Sequence, residues 1–151
     1  MKNKLQLLGW REWLALPQLK IRRIKCKVDT GARTSALHAY FIEPDSVRNI
    51  VRFGIHPLQN NTDKKVICEA AIRDYRLVSD SGGHKEKRYV IESTIILGDD
   101  CWRIEMNLTD RDTMRFRMLL GRTAIYNKYV VDPQRSYLMG KPVPRIKSKL
   151  K

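Results

Sequence analysis

Several things are scarce or missing in this chain. No apolar run comes near the roughly 18 residues a membrane-spanning helix needs, so no membrane partner is expected. The opening MKNKLQLLGWREW has neither a long apolar stretch nor a small-residue cleavage site. No secretion signal is read there, and a cytoplasmic location is expected. Cysteine is sparse: Cys26, Cys68 and Cys101 are odd in number, far apart and never in a C-x-x-C pair. That argues against a disulfide framework and fits a reducing compartment. Aromatic residues make up 8% of the chain without an RNP-like run, which weakens a base-stacking RNA platform. There is no G-x-x-x-x-G-K-[ST] phosphate loop and no H-E-x-x-H zinc pair.

Negative charge is also in short supply. Thirty Lys and Arg stand against 16 Asp and Glu, a formal net charge of +14. Such a field favours anionic partners, whether nucleic acid, ribosome or acidic peptide. Part of the excess lies in 141–151, read as a basic, mobile tail. The rest belongs to the folded part, read as one domain over 1–140, since 151 residues suit a single core and no repeat or internal linker interrupts them.

What is present is mostly β patterning. Ile24, Cys26 and Val28 alternate with Arg23, Lys25 and Lys27, predicting a half-buried strand over 21–28. Segments 65–78 and 88–97 are rich in β-branched and aromatic residues, and Gly98-Asp99-Asp100 supplies a turn into a returning arm, 101–108. Residues 59–65 read as an exposed connection and 123–128 as a short helix before a strand near 129–131. Residues 79–87, with two glycines, read as a hairpin tip that is either a plain turn or a flap.

One acid stands out in this basic chain. In KVDTGARTSALHA, Asp29 follows a strand and precedes Thr30 and Gly31. A carboxylate so placed can hold or share a proton, a Thr hydroxyl can stiffen the turn, and Gly admits close backbone. Downstream, Leu119-Leu120-Gly121 is an apolar pair closed by glycine, extended by Arg122. The order of strand with D-T-G, flap-like hairpin, LLGR and short helix predicts a retropepsin-like closed β-barrel half with one or two short helices.

The segments VDTGARTSALHA, SDSGGHKEKRYVIEST, LTDRDTMRFRMLLGRTAI and VDPQRSYLMGKP resemble a bacterial family labelled as ATP-dependent zinc proteases. That family is also described as retropepsin-like and typified by RimB. The resemblance runs from about Gly9 to Pro142. It implies a peptidase that trims acidic, poly-glutamate-like tails on a ribosomal protein, in association with a glutamate-ligase partner. It assigns the catalytic role to Asp29 with Thr30 and Gly31, and support of the turn to Leu119, Leu120 and Gly121.

Aspartic chemistry needs two carboxylates sharing a proton. Asp80 in Asp80-Ser81-Gly82 lies too close to Asp29 in sequence for two lobes, so a homodimer that supplies two Asp29 turns is expected, with Asp80 a flap residue near substrate. The label's zinc finds no ligand spacing among His38, Cys68, His84 and Cys101, and no cofactor is expected. Arg33, Arg115, Arg117 and Arg122, with Asp80 and His84 on the flap, are the candidate substrate contacts, since arginine grips carboxylates bidentately. Arg111 belongs to the same basic group, and pairing of such arginines with Asp110 or Asp112 is the alternative. The expectation is an aspartic peptidase on acidic peptides. A non-catalytic ribosome- or RNA-binding module and a zinc peptidase stand as alternatives.

Overall fold

The computed structural model describes residues 4–80, 82–111 and 115–142. The chain is mostly β, as the sequence predicts. It runs β1 (Gln6–Gly9), β2 (Arg11–Leu16), a 3₁₀ turn (Pro17–Leu19), β3 (Ile21–Asp29), β4 (Ser35–His38), β5 (Phe41–Asp45), β6 (Ile50–Ile55), β7 (Val66–Ala71) and β8 (Asp74–Ser79). Then follow β9 (Lys85–Leu97), β10 (Asp100–Thr109), β11 (Met118–Gly121), α1 (Arg122–Ile125) and β12 (Tyr129–Asp132). No helix among the described residues is long and apolar enough to cross a membrane.

The largest sheet has the order β10-β4-β11-β3-β2-β9-β8, and β9 also pairs with β10. The hydrogen-bonded path therefore returns on itself through six strands, though the β2–β9 link is a single registered pair, Ala15 with Ile96. The length of β9 makes this possible: its first half pairs with β8 and its second half with β10. Gly98 turns β9 into β10 with φ +59°, a conformation that suits glycine. Ile24, Cys26 and Val28 of β3, Ile104, Met106 and Leu108 of β10, and Phe53 of β6 join one apolar core, as their alternation predicts.

Two local expectations are corrected. The segment 65–78 is not continuous: the chain leaves a β5-β6-β7 sheet at Ile72 and joins β9 through β8. Ile72 donates its amide to Asn49 and Arg73 donates to Val90, so each residue satisfies a different sheet. The helix over 123–128 shortens to α1, because Asn127 takes a left-handed φ of 64° and turns the chain into β12. The basic tail lies outside the described residues beyond Pro142.

A buried carboxylate ties the two ends together. Glu12 is fully buried and accepts the Gly9 and Leu138 amides on Oε2, at 2.7 and 3.0 Å, and the Met139 amide on Oε1 at 3.1 Å.

Candidate active site

Asp29 closes β3, and its partner across the parallel β3–β11 ladder is Gly121. Asp29 Oδ1 accepts the Gly31 amide at 3.0 Å, and the Asp29 carbonyl accepts the Ala32 amide at 3.2 Å. Among the described residues Oδ2 meets no donor. The apolar β11 explains how the turn is held: Leu120 is core, and the chain then passes directly beneath residues 32–35. Arg122 donates its amide to the Ala32 carbonyl at 2.7 Å and Nη1 to the Thr30 carbonyl at 2.9 Å. Thr123 donates both its amide and its hydroxyl to the Arg33 carbonyl. The Gly121 amide donates to Ser35 Oγ at 2.9 Å.

The hydroxyl work in the turn thus falls to Ser35 and Thr123, while Thr30 is exposed and shows no side-chain bond among the described residues. A hydroxyl next to the turn in ARTSALHA was visible in the sequence, but its reach to Gly121 was not.

Registered partners in a ladder carry their side chains on one face. Lys27 aligns with Leu119, Leu119 with Ala36, Ala36 with Asn107, and Asn107 with Val90. Asp29 is therefore on the same face as Lys27, Asn107 and, two residues along, His38 and Thr109. The opposite face holds Val28, Leu120, Leu37 and Met106 in the core.

Beside the turn opens a cleft of about 330 Å³ lined by Arg33, Thr34, Arg76, Trp102, Arg103, Glu105, Tyr126 and Lys128, among others. Four of these side chains are cationic and one is acidic. Arg76 pairs with Asp74 and Glu105, Arg103 with Glu92, and Lys128 Nζ stands 4.9 Å from the Trp102 ring. The Arg33 guanidinium has no partner among the described residues. Asp29 precedes this cleft and is not part of its lining.

The other candidates lie elsewhere. Asp80 folds into its own hairpin tip, where Oδ1 accepts the Gly82 and His84 amides and Oδ2 the Arg111 guanidinium at 2.8 Å. The Arg111 bond is the main reason its carboxyl is held below the usual carboxylate range. His84 is exposed at that tip. The tip meets the His38 end of β4 through Arg111, whereas Ser35, at the other end of β4, braces Gly121. Arg115 is exposed and Arg117 buried; Ser81 and Asp112 are outside the described residues.

His38, Cys68 and Cys101 fall on β4, β7 and β10, and His84 in the tip between β8 and β9. Among the described residues no group of three or more His, Cys, Asp or Glu is placed to hold a metal. Burial pushes the Cys26 and Cys68 thiols up to about 12, the opposite of an activated nucleophile.

Comparison with known proteins adds the following. A family described as "RimB-like: Retropepsin-like aspartic endopeptidase RimB" matches residues 7–142. Proteins named "Probable alpha-L-glutamate ligase" from Shewanella pealeana and Parasynechococcus marenigrum are 44% and 43% identical over 93% and 89% of this chain. The chain spans only 31% and 29% of their lengths. The crystal structure of Lpg0085 from Legionella pneumophila, a protein of unknown function (DUF785), matches with TM-score 0.72 and 26% identity, covering 90% of this chain and 99% of that one.

These relatives correct the expected function. A peptidase of acidic tails is overturned, and with it the description as a hydrolase, because the curated relatives are named for joining glutamate. The family's description reads endopeptidase, so the two names disagree on the reaction while both describe enzymes.

Proposed function

The chain belongs to the RimB-like family, and from that premise we propose that it is an enzyme module of α-L-glutamate ligation that holds a glutamate-rich peptide along the Asp29 face. The observation that carries this reading is the cationic cleft opening at Arg33, directly after the Asp29 turn. Guanidinium groups match carboxylates two bonds at a time, and exposed ion pairs such as Arg103–Glu92 are weak enough for a peptide carboxylate to compete.

Ligation also needs groups this chain does not offer. Joining a carboxylate to an amine in water is uphill and calls for phosphoryl activation, yet the sequence has no phosphate loop. That step is assigned to the remainder of chains like the longer relatives, or to a separate ligase partner. Asp29 has a role compatible with this division. An amine attacks only when neutral, and a carboxylate with one oxygen open accepts its proton. Arg122 fixes the turn through the Thr30 carbonyl, while the Gly31 amide occupies Oδ1 and leaves Oδ2 as the accepting atom.

The test is binding of fluorescein-labelled tetraglutamate, followed by anisotropy. Arg33→Ala with Lys128→Ala, both at exposed positions, is expected to weaken binding about tenfold or more, and tetraglutamine is expected not to bind. Equal binding of the two peptides would contradict the reading.

A further inference from the structure

On the side of Asp29 away from the Arg33 cleft, β2 and β3 carry a second set of cations. The sheet order β10-β4-β11-β3-β2 puts β10, which lines the cleft, on one side of Asp29 and β2 on the other. Lys27 and Lys25 precede Asp29 on the same face of β3, and their registered partners on β2 are Arg11 and Trp13. Side chains two apart on a strand repeat about every 7 Å.

Three aromatic rings hold these cations in place. Arg11 Cζ lies 4.6 Å from the centre of the Trp10 ring and 5.1 Å from that of Tyr137, and Arg11 Nε donates to Ser136 Oγ at 3.0 Å. Lys25 Nζ stands 5.1 Å from the Trp13 ring and 5.7 Å from the Tyr137 ring, and Lys141 Nζ is 5.5 Å from Trp13. Tyr137 reaches both Arg11 and Lys25 with a φ of 57°, which bulky residues seldom adopt, and its amide donates to the Arg11 carbonyl at 2.9 Å.

An aromatic face positions a cation without cancelling its charge. Among the described residues no carboxylate pairs with Arg11, Lys25, Lys27 or Lys141, whereas Arg48, Arg52, Arg76 and Arg103 each meet one. Lys27 and Lys141 are exposed, and Arg11 and Lys25 half-buried, so an anion reaches the strip from solvent. Side chains already held by rings have less freedom left to lose when that anion binds.

We propose that the strip Lys27–Arg11–Lys25 is an extension subsite for carboxylates of an acidic peptide beyond those held in the Arg33 cleft, so that Asp29 faces an interior position of the bound peptide. This rests on the preceding reading of the peptide as acidic. Alternate side chains of an extended peptide repeat at strand spacing, so same-face glutamates meet Lys27 and Lys25 in turn. Trp13 and Tyr137 each already face two cations of this chain, which leaves no platform for stacked bases and favours carboxylates over nucleic acid.

The experiment follows the anisotropy of labelled tetraglutamate and octaglutamate on the wild type and on two double variants. One is Lys25→Gln with Lys27→Gln. The other, Lys64→Gln with Lys65→Gln, removes the same charge from an exposed connection elsewhere. Thermal melts check that both fold. On the wild type, octaglutamate is expected to bind about tenfold tighter than tetraglutamate. The Lys25–Lys27 variant is expected to lose about fivefold of that gain while binding tetraglutamate unchanged, and the Lys64–Lys65 variant to keep it. If octaglutamate binds no tighter than tetraglutamate, or the two variants behave alike, the strip is wrong and the acidic-peptide reading stands. If neither peptide binds, both fall together. A labelled oligouridylate that binds more tightly than octaglutamate, and is lost in the Lys25–Lys27 variant, would give the strip to nucleic acid and overturn the proposal.

Discussion

Gly121 lies beside Asp29 across the parallel β3–β11 ladder, and a methyl group built on Gly121 would stand 2.5 Å from the Thr34 carbonyl carbon and 2.8 Å from the Ser35 nitrogen. The strand under the acid is therefore as close to the 34–35 backbone as chain packing permits. Any side chain at 121 must push against backbone, which cannot rotate away as a flexible side chain can.

Gly121→Ala is accordingly expected to cost about 3 kcal/mol, as overpacking against fixed atoms does. Urea unfolding measures this. A loss under about 0.5 kcal/mol would mean that the turn yields easily and that its bracing is loose.

Glu12 accepts three amides, from Gly9 near one end of the described chain and from Leu138 and Met139 near the other. Glu12→Ala leaves those donors unsatisfied and is expected to cost about 4 kcal/mol. Hydrogen exchange at Leu138 and Met139 should rise with it. Unchanged protection there would show that the clip holds nothing.

His38 binds its proton less readily in the fold than in the unfolded chain, chiefly through burial. The unfolded chain therefore takes up more protons below the ordinary value of about 6.5, and stability contributed by neutral His38 is present above that pH and lost as pH falls. Between pH 7.5 and 5.5 the wild type is expected to lose stability more steeply than His38→Asn, which retains a donor for the Arg111 carbonyl. Equal slopes would contradict this.

Asp80 is shifted down by its bond to Arg111, so its hold on the hairpin tip is present above the ordinary carboxylate range and is lost only as pH falls below it. At neutral pH, Asp80→Asn is expected to raise exchange of the His84 amide, 2.9 Å from Oδ1, several-fold. No change would show the tip to be held by its backbone alone.

Much of the wall was readable because its patterns are local. The alternation at Ile24, Cys26 and Val28 announced β3, and Gly98-Asp99-Asp100 announced the β9–β10 turn. β4 could not be read this way, since all four residues Ser35–His38 are buried and show no alternation. The break at Ile72 was hidden because both sides favour strand, and only the sheet each side joins separates them. At the site, the Asp29 turn was conspicuous as an acid in a basic chain. The strip of Arg11, Lys25 and Tyr137 was not, because it is assembled from segments far apart in sequence.

The most direct measurement is a two-dimensional amide NMR titration of the ¹⁵N-labelled chain with tetraglutamate. Shifts are predicted to gather at Arg33, Thr34, Glu105 and Gly121, along the Asp29 face, and to be absent with tetraglutamine. Shifts confined to the β5–β6 hairpin near Arg48 and Arg52, or none at all, would contradict a glutamate-binding site beside Asp29.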